Sequence, residues 1–259
     1  MLGRTRSRPT RGPAPGAAIR VGYRMPGYRT GVFAPWGRKE LALYGGGPAL
    51  LGGAALCLPA PFHWAAVAPF AFAALVAWFF RDPERTIPAE PGLLVSPADG
   101  TVADIEEVEE PSFLGGRAVR VGIFLSPLNV HVNRSPARGV VRHRAYREGR
   151  FLAAYDRRAV EENEACALGL ECEAPGGKPP LRILVRQVVG VAARRIVCPV
   201  EPGRALDRGE RFGMIKFGSR TELWVPVNAG FRCRVKIGDT VRGGSTVIGD
   251  AAALGGGGA

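Results

Sequence analysis

An uncharged segment of forty residues, 41–80, constrains the fold of this chain more than any other feature. It contains no Asp, Glu, Lys or Arg. One helix needs about 20 apolar residues to cross a bilayer, so the segment is long enough for two short passes or one re-entrant hairpin. Its two halves are separated by Pro59-Ala60-Pro61. Residues 41–80 are therefore predicted to form a membrane hairpin. The alternative is a hairpin buried in a protein core.

Positive charge is concentrated in front of this hairpin. The net charge is +12, and residues 1–40 hold eight Arg and one Lys against a single Glu. A basic tail suits either nucleic acid or an anionic membrane surface. The adjoining apolar segment favours the membrane, so no nucleic acid is expected as a partner. Because cations flank both sides of the hairpin, the positive-inside rule places both flanks in the cytoplasm. Residues 1–40 are predicted to be a basic, disordered tail.

The rest of the chain has the pattern of a β-rich soluble domain, predicted over residues 81–250. Short alternating runs with β-branched residues are typical of strands. One stretch, 147–165, has helical spacing and is expected to hold a helix or a long loop. The predicted fold class is mainly β (α+β), a barrel-sandwich-like soluble domain preceded by a hydrophobic helical hairpin. Residues 251–259 are predicted to be a flexible tail.

A weak internal echo supports the barrel-sandwich prediction. Residues 202–215 and 237–249 share a pattern of Gly, two residues, an apolar residue, two residues, Gly and an apolar run. Glycine at these places allows the positive φ of tight turns. Turn-then-strand units of this kind recur in small folds of the biotinyl/lipoyl type.

The five cysteines do not predict a disulfide framework or a metal site. Their number is odd and their spacing irregular, and the chain has no CxxC or HExxH motif. Reduced thiols fit a domain on the cytoplasmic side. No metal is expected.

Histidine is scarce, so the candidates for a base near neutral pH are few. His63 falls in the hairpin, and His143 lies in a basic stretch that is typical of a surface. His131 lies in the alternating stretch 129–133, where period-2 logic places it on one strand face with Asn129 and Asn133. Such a face is usually exposed to solvent, and the alternative for His131 is catalysis.

Two further residues have both an ordinary and a chemical interpretation. Asp99 precedes Gly100, a common turn pair, but a carboxylate there can also orient a histidine. Ser219 follows Gly218, whose carbonyl is not shielded by a side chain. A serine attacks the preceding carbonyl only where a strained turn exposes that bond and a base removes the hydroxyl proton.

In combination, five segments resemble the short, membrane-anchored bacterial phosphatidylserine decarboxylases in order and spacing. The resemblance spans roughly residues 79–250, and its most specific parts are the FGSR and LNVHVNR motifs. The segments are FFRDPERTIP (79–88), SPADG (96–100), GIFLSPLNVHVNRSP (122–136), GVAARRIVC (190–198) and GERFGMIKFGSRTELWVP (209–226).

The resemblance implies an enzyme that makes its own cofactor. Ser219 would attack Gly218, the chain would part between them into a β chain to 218 and an α chain from 219, and Ser219 would become a covalent pyruvoyl group. That group serves as the electron sink for the carbanion left by decarboxylation. In the family a histidine and an aspartate assist the cleavage, and the matching positions here are His131 and Asp99. His131 is also expected to donate or position the returning proton.

The implied partners are phosphatidylserine in the bilayer and the membrane itself, and a homodimer is allowed. Phe124, Leu125 and Leu128 are expected either to line the lipid entrance or to belong to the core. One departure lies at 161–166, where Arg and a second Asn of the family pattern are missing. The rivals are a membrane-anchored lipoyl-like adaptor and the same chemistry on another headgroup lipid. The adaptor would want a lysine at an exposed hairpin tip, and neither Lys216 nor Lys236 sits in a Met-Lys or Asp-Lys tip.

Overall fold

The computed structural model describes residues 32–152, 158–191, 195–216 and 219–255. Most of the basic tail, 1–31, therefore lies outside the described residues. The described chain starts with helices that lead into a mainly β domain. The helical elements are the 3-10 turn Pro35–Gly37, α1 (Arg38–Glu40), the π-helical stretch Leu41–Gly46, α2 (Gly47–Leu56), the 3-10 turn Phe62–Ala66 and α3 (Val67–Phe79).

The uncharged segment folds back on itself as two helical arms. Most large side chains of both arms are exposed, including Leu50, Leu51, Phe62 and Trp64. In the described part of the chain, one helical stretch, Phe62–Phe79, is long and apolar enough to cross a membrane, and 11% of it is buried. This stretch is apolar on all sides and is buried against little other protein.

The described residues after the hairpin form fourteen strands, and every ladder between them is antiparallel. The strands are β1 (Leu93–Val95), β2 (Gly100–Glu110), β3 (Gly116–Leu125), β4 (Val132–Arg134), β5 (Gly139–Arg147), β6 (Ala165–Cys172), β7 (Leu181–Val189), β8 (Arg195–Val197), β9 (Ala205–Leu206), β10 (Arg211–Lys216), β11 (Ser219–Pro226), β12 (Phe231–Cys233), β13 (Thr240–Val241) and β14 (Val247–Ala251).

These strands form three sheets around one core. The large sheet has the order β13-β2-β3-β11-β7-β6-β5-β9, and the two small sheets have the orders β1-β14-β12 and β4-β10-β8. All three contribute to the main hydrophobic cluster, for example Leu223 from the large sheet with Ile248 and Phe212 from the small ones. The prediction of a mainly β fold with a helical segment in front is confirmed.

The three sheets repeat one pattern twice. When the strand order of the large sheet is reversed, β9, β5, β6 and β7 take the places of β13, β2, β3 and β11. The two small sheets correspond to each other in the same way. The registers agree residue by residue: Leu94 pairs with Gly249 as Asn133 pairs with Gly213. Both small sheets even interrupt their register after this pair. The domain therefore consists of two structurally equivalent halves.

The sequence echo corresponds to this duplication. Gly203 and Gly209 have φ of 94° and 76°, and Gly238 and Gly244 have φ of 94° and 79°. These left-handed values favour glycine because a Cβ would clash with the backbone. Each pair of glycines brackets a two-residue strand at one end of the large sheet, β9 or β13. The echo was thus a signal of two equivalent turn–strand–turn–strand units.

The structure gives more detail on two predicted segments, the stretch 147–165 and the tail 251–259. In the stretch 147–165, one helical turn, α4 (Ala159–Glu162), precedes β6, and residues 153–157 lie outside the described part. At the predicted tail, Ala251 still belongs to β14, and Ala252–Leu254 form a 3-10 turn. The amide of Ala251 donates to the carbonyl of Gly92, so the strand is tied to the domain up to this residue. Residues 256–259 lie outside the described part.

Candidate active site

Three strand ends meet at Ser219. It is the first residue of β11, the central strand, and its neighbours in register are Leu125 at the end of β3 and Val189 at the end of β7. Its side chain is fully buried, and among the described residues its Oγ has no hydrogen-bond partner. Buried hydroxyls are nearly always paired, so an unpaired one at a strand end suggests a chemical role. Gly218, the other residue of the predicted scission bond, lies outside the described residues.

A short turn carries His131 away from the same edge of the sheet. The turn follows Leu125 and is closed by Asn129, whose Oδ1 accepts from the amide of Ser126 at 2.8 Å and whose own amide donates to the Ser126 carbonyl at 2.9 Å. Asn129 therefore serves the turn, and the strand begins only at Val132. His131 and Asn133 are fully buried, so the usual solvent-exposed interpretation of this polar stretch is wrong. The end of helix α3 covers this side of the domain.

The imidazole of His131 is held in a state suited to accept a proton. Its Nδ1 lies 2.9 Å from the Asn129 carbonyl, which only accepts, so Nδ1 carries the proton and Nε2 is the free acceptor. Nε2 is buried and has no partner within the described residues. The pKa of His131 is lowered to about 4, chiefly by burial and also by the positive charge of Arg81, against the opposing effect of the Asn129 carbonyl. The ring is therefore neutral at pH 7.

Asp99 is largely buried on the turn before β2, but its hydrogen bonds go elsewhere than to His131. Its Oδ2 pairs with Arg85 at 2.6 Å, and its Oδ1 accepts from the amide of Gly243 at 2.7 Å. Burial raises the pKa of Asp99, and Arg85 partly offsets that rise. In the described part of the chain no hydrogen bond joins Asp99 to His131. The amide of Arg134 donates to the Pro97 carbonyl at 2.9 Å, so the turn that carries Asp99 packs against the segment that carries His131.

A buried amide network adjoins the strand end. Asn133 donates from Nδ2 to the Thr221 hydroxyl at 3.0 Å and accepts at Oδ1 from Gln187 at 2.8 Å. All three side chains are buried. Thr221 is two residues from Ser219 and so shares its strand face. Sequence reasoning missed the network, although the alternation of residues 129–133 had already placed Asn133 on the same face as His131.

An ion cluster fixes the other face of β11. Arg220 pairs with Asp104 and with Glu222, and Glu222 also accepts from Arg186 at 2.7 Å. Burial alone would raise the pKa of Glu222, but the two guanidinium groups outweigh it, and the pKa is lowered. Gly122 makes this possible, because a Cβ there would lie 1.9 Å from the Arg220 guanidinium. The strand that begins with Ser219 is thus held on both faces.

The helical arm contacts the turn that carries His131. Phe79 lies 4.4 Å from the His131 ring, centroid to centroid, and Phe79 and Phe80 share a cluster with Val130 and Val132. Of the three apolar candidates for a lipid entrance, Leu125 is in the core, Phe124 is half-buried and Leu128 is 62% exposed. The indole of Trp78 donates to the Leu128 carbonyl at 3.3 Å. The end of the apolar helix and the edge of the candidate site are therefore in direct contact.

The unusual stretch 161–166 also reaches this region through Asn163. This buried side chain donates to the Val189 carbonyl at 2.8 Å and pairs with both backbone groups of Leu152. Val189 is the register partner of Ser219. The departure in sequence therefore leaves an asparagine that fixes the strand next to the serine.

The chain is similar to one family of known proteins over most of its length. The phosphatidylserine decarboxylase family profile matches residues 72–249. A phosphatidylserine decarboxylase proenzyme of Symbiobacterium thermophilum is 54% identical over 188 residues, 72% of this chain and 84% of that protein. Proteins with the same description from Chlorobium luteolum and Rhodopirellula baltica are each 48% identical, over 71% and 72% of this chain and 80% and 76% of their own lengths. The chain belongs to the phosphatidylserine decarboxylase family.

Proposed function

We propose that this chain decarboxylates phosphatidylserine to phosphatidylethanolamine and CO2, using a pyruvoyl group that it makes from Ser219. Family membership supports the reaction, and the description of the relatives as proenzymes supports self-processing. The observation that carries the proposal is a pair of buried polar atoms without partners in the described chain, Ser219 Oγ and His131 Nε2. One is a nucleophile at the start of β11, and the other is a base on the segment that follows β3.

In the first step the Ser219 hydroxyl attacks the Gly218 carbonyl. His131 takes the hydroxyl proton at Nε2, because its Nδ1 is committed to Asn129 and burial keeps the ring neutral. The C–N bond breaks, a C–O ester bond forms, and the proton passes to the departing Ser219 nitrogen. The negative charge of Asp99 stabilises the transient imidazolium electrostatically. Arg85 and the Gly243 amide hold the carboxylate of Asp99 in place.

In the second step a base removes the Cα proton of residue 219, and the Cβ–O bond breaks. The chain ending at Gly218 leaves as a carboxylate, and residue 219 becomes dehydroalanine. Water then replaces the nitrogen, which is released as ammonia, and a ketone remains. The result is a pyruvoyl group at the start of an α chain of residues 219–259, with residues 1–218 as the β chain.

The surroundings of Ser219 fit such a group. When present, the pyruvoyl group withdraws the electron pair that decarboxylation leaves on the substrate Cα. His131 would return a proton to that carbon from Nε2 once Nε2 has taken up a proton from the ammonium group of the substrate serine, because Nε2 of the neutral ring carries none. The Asn133 network and the Arg220 cluster hold the start of β11, so the reacting residue keeps its position.

We place the helical arms in the cytoplasmic membrane and the β domain on its cytoplasmic side. The exposed apolar surface of Phe62–Phe79 and the cations on both flanks support this placement. Phe124 and Leu128 then border the path by which the lipid headgroup enters. The carrier alternative gains little: Lys216 is buried and paired with Glu40, and Lys236, although exposed, stands between Val235 and Ile237 rather than in a Met-Lys or Asp-Lys tip.

The intact mass of the purified full-length chain tests the proposal. Folded protein in detergent should consist of two pieces, with a small fragment of 41 residues beginning at position 219 whose N-terminus is blocked to Edman degradation. It should release CO2 from phosphatidylserine in mixed micelles. Uncut folded chain as the sole species would refute self-processing.

Two serine substitutions, one at Ser219 and one at Ser112, form a matched pair that tests the role of Ser219. Ser219→Ala should leave the chain uncut and inactive, because no hydroxyl is available to attack Gly218. Ser112→Ala, on the β2–β3 hairpin at the opposite end of β3, removes only a hydroxyl that hydrogen-bonds to Glu110, and it should cleave and react as wild type. Equal cleavage in both variants would contradict the assignment of Ser219.

A further inference from the structure

Arg81 lies where the apolar helix ends and the candidate site begins. Its guanidinium stacks on the Trp78 ring, 4.0 Å from the centroid. Nη1 donates to the Trp78 carbonyl at 2.6 Å and Nη2 to the Leu128 carbonyl at 2.7 Å. Leu128 belongs to the turn that leads to His131. The side chain of Arg81 is therefore fixed between the helix and the catalytic turn.

The charges around Arg81 leave it as the surplus cation. Four arginines and three carboxylates form this cluster: Arg81, Arg85, Arg134 and Arg211, with Asp82, Glu84 and Asp99. Arg134 and Arg211 pair with Asp82, Arg211 also pairs with Glu84, and Arg85 pairs with Asp99. Arg81 makes hydrogen bonds only to carbonyls and has no carboxylate within ion-pair distance in the described part of the chain.

The positive charge of Arg81 acts electrostatically on His131 and Asp99. It lowers the pKa of His131, and it interacts with the carboxylate of Asp99. The side chain is only half-buried, so a ligand that enters past the exposed Leu128 can reach it. A rigid, accessible cation that forms no ion pair with the described residues, beside the proposed base, is the arrangement of an anion-binding group.

We propose that Arg81 binds the phosphodiester of the lipid headgroup and thereby positions the serine moiety at His131. The inference rests on the proposed function. A phosphodiester lies at the boundary between apolar chains and water, which is also where interfacial tryptophans such as Trp78 prefer to lie. Planar guanidinium groups match phosphate oxygens with two donors, and the indole beneath Arg81 keeps its plane fixed.

The phosphodiester is a better partner for Arg81 than the substrate carboxylate. The carboxylate loses its charge as CO2 leaves, so a cation bound to it would stabilise the ground state more than the transition state and slow the reaction. The phosphodiester keeps its charge through the reaction and remains in the product. Arg81 is therefore a positioning residue that should contact substrate and product alike.

The test compares substrate and product binding in the processed, full-length enzyme. Arg81→Gln is assayed in nonionic detergent micelles with phosphatidylserine as substrate and phosphatidylethanolamine as competing product. Loss of a charge-assisted contact should raise both KM and the product inhibition constant roughly 10- to 100-fold. The cleaved fraction is measured by intact mass for each variant, and kcat should change much less than KM.

The two constants distinguish the possible contacts. A rise in KM with an unchanged inhibition constant would mean that Arg81 contacts the carboxylate, and it would overturn the proposal. Unchanged values for both in a fully cleaved Arg81→Gln enzyme would also overturn it. Arg117→Gln removes one exposed, ion-paired arginine on a distant hairpin and should change neither constant.

A second variant keeps the test decisive if Arg81→Gln is not processed. Arg81→Lys keeps the charge but lacks the fork that serves both the carbonyls and a phosphate. A joint rise of about 3- to 10-fold in KM and the inhibition constant is expected. Unchanged constants in cleaved Arg81→Lys would refute the proposal. A wild-type enzyme that is uncut or inactive would instead refute the proposed function, so the two failures are distinguishable.

Discussion

Two turns with nearly the same sequence, SPADG (96–100) and SPARG (135–139), occupy equivalent places in the two halves of the domain. In each, the serine hydroxyl donates to the carbonyl two residues on, at 2.6 Å for Ser96 and 2.7 Å for Ser135. The fourth residue is Asp99 in one turn and Arg138 in the other. Asp99 is buried and bonded, whereas the Arg138 side chain is 84% exposed. The turn forms without an aspartate, so Asp99 is free for another task.

The same contrast recurs at the other positions of the candidate site. His131, Asn133 and Ser219 correspond by register to three residues without polar side chains, Gly92, Leu94 and Leu181. The equivalence extends to the backbone, since Ala251 donates to the Gly92 carbonyl as Ile215 donates to that of His131. The fold thus provides two similar strand-end environments. Only one of them holds a buried serine hydroxyl, an imidazole and a carboxylate.

Of the residues that differ between the two halves, Asp99 is expected to give the largest effect on self-cleavage when it is substituted. Asp99→Asn keeps the shape and can still accept from the Gly243 amide, but it removes the negative charge that supports a protonated His131. Self-cleavage should slow by about 10²-fold or more, the range typical of groups that assist proton transfer. The cleaved fraction is followed over time by intact mass after synthesis of the precursor.

The matched control is the equivalent residue of the other half. Arg138→Gln changes an exposed side chain whose nearest carboxylate, that of Asp207, is 3.6 Å away. It should alter cleavage less than about twofold and stability by at most about 0.5 kcal/mol. If Asp99→Asn cleaved at the wild-type rate, Asp99 would be no more than a turn residue like its counterpart.

The second prediction concerns how the stability of the fold depends on pH through His131, whose equivalent in the other half is Gly92. The folded pKa of about 4 lies below the ordinary value of 6.5 because the ring is buried. Between these values the unfolded chain binds more protons than the folded one, so stability falls as pH falls from about 6.5 toward 4 and is fully present above that window. The loss attributable to His131 is on the order of 3 kcal/mol.

Paired unfolding curves measure this contribution. Urea unfolding is compared between pH 7.5 and pH 4.5 for Ser219→Ala and for Ser219→Ala with His131→Gln, both in nonionic detergent. The pH dependence of the free energy of unfolding should be smaller with glutamine, which does not titrate. Equal pH dependence in the two proteins would mean that the His131 site is open to water.

Much of this arrangement could be predicted from the sequence, and the limits have physical causes. Strands, the hairpin and the glycine turns follow from local patterns, and Ser219, His131 and Asp99 from motifs. The burial of His131 and Asn133 could not be predicted, because alternation along a strand does not say which face a helix covers. The SPADG and SPARG pair was a readable signal of the duplication that the echo over residues 202–249 indicated only in part. The long-range pairs of Arg81 and Arg220 depend on strand order, which local pattern does not supply.

The smallest expected effect tests whether the amide network belongs to the fold or to the site. At the position of Asn133 the other half holds Leu94 with the same register, so a purely steric view predicts that Asn133→Leu is harmless. The structure predicts otherwise, because Gln187 Nε2 would lose its acceptor inside the protein. The free energy of unfolding, measured on the uncut Ser219→Ala chain, should fall by about 1–3 kcal/mol.

A double variant separates lost partners from lost shape. Replacing both partners of a buried hydrogen bond by apolar groups of similar size is often nearly neutral, so Asn133→Leu with Gln187→Leu should recover most of the stability lost in the single variant. Cleavage in the serine-containing chain should not recover with it, because the start of β11 would still lack the Asn133–Thr221 bond that orients the strand face of Ser219. Recovery of both stability and cleavage would show that the network only fills space, and the two halves would then differ in chemistry at Ser219, His131 and Asp99 alone.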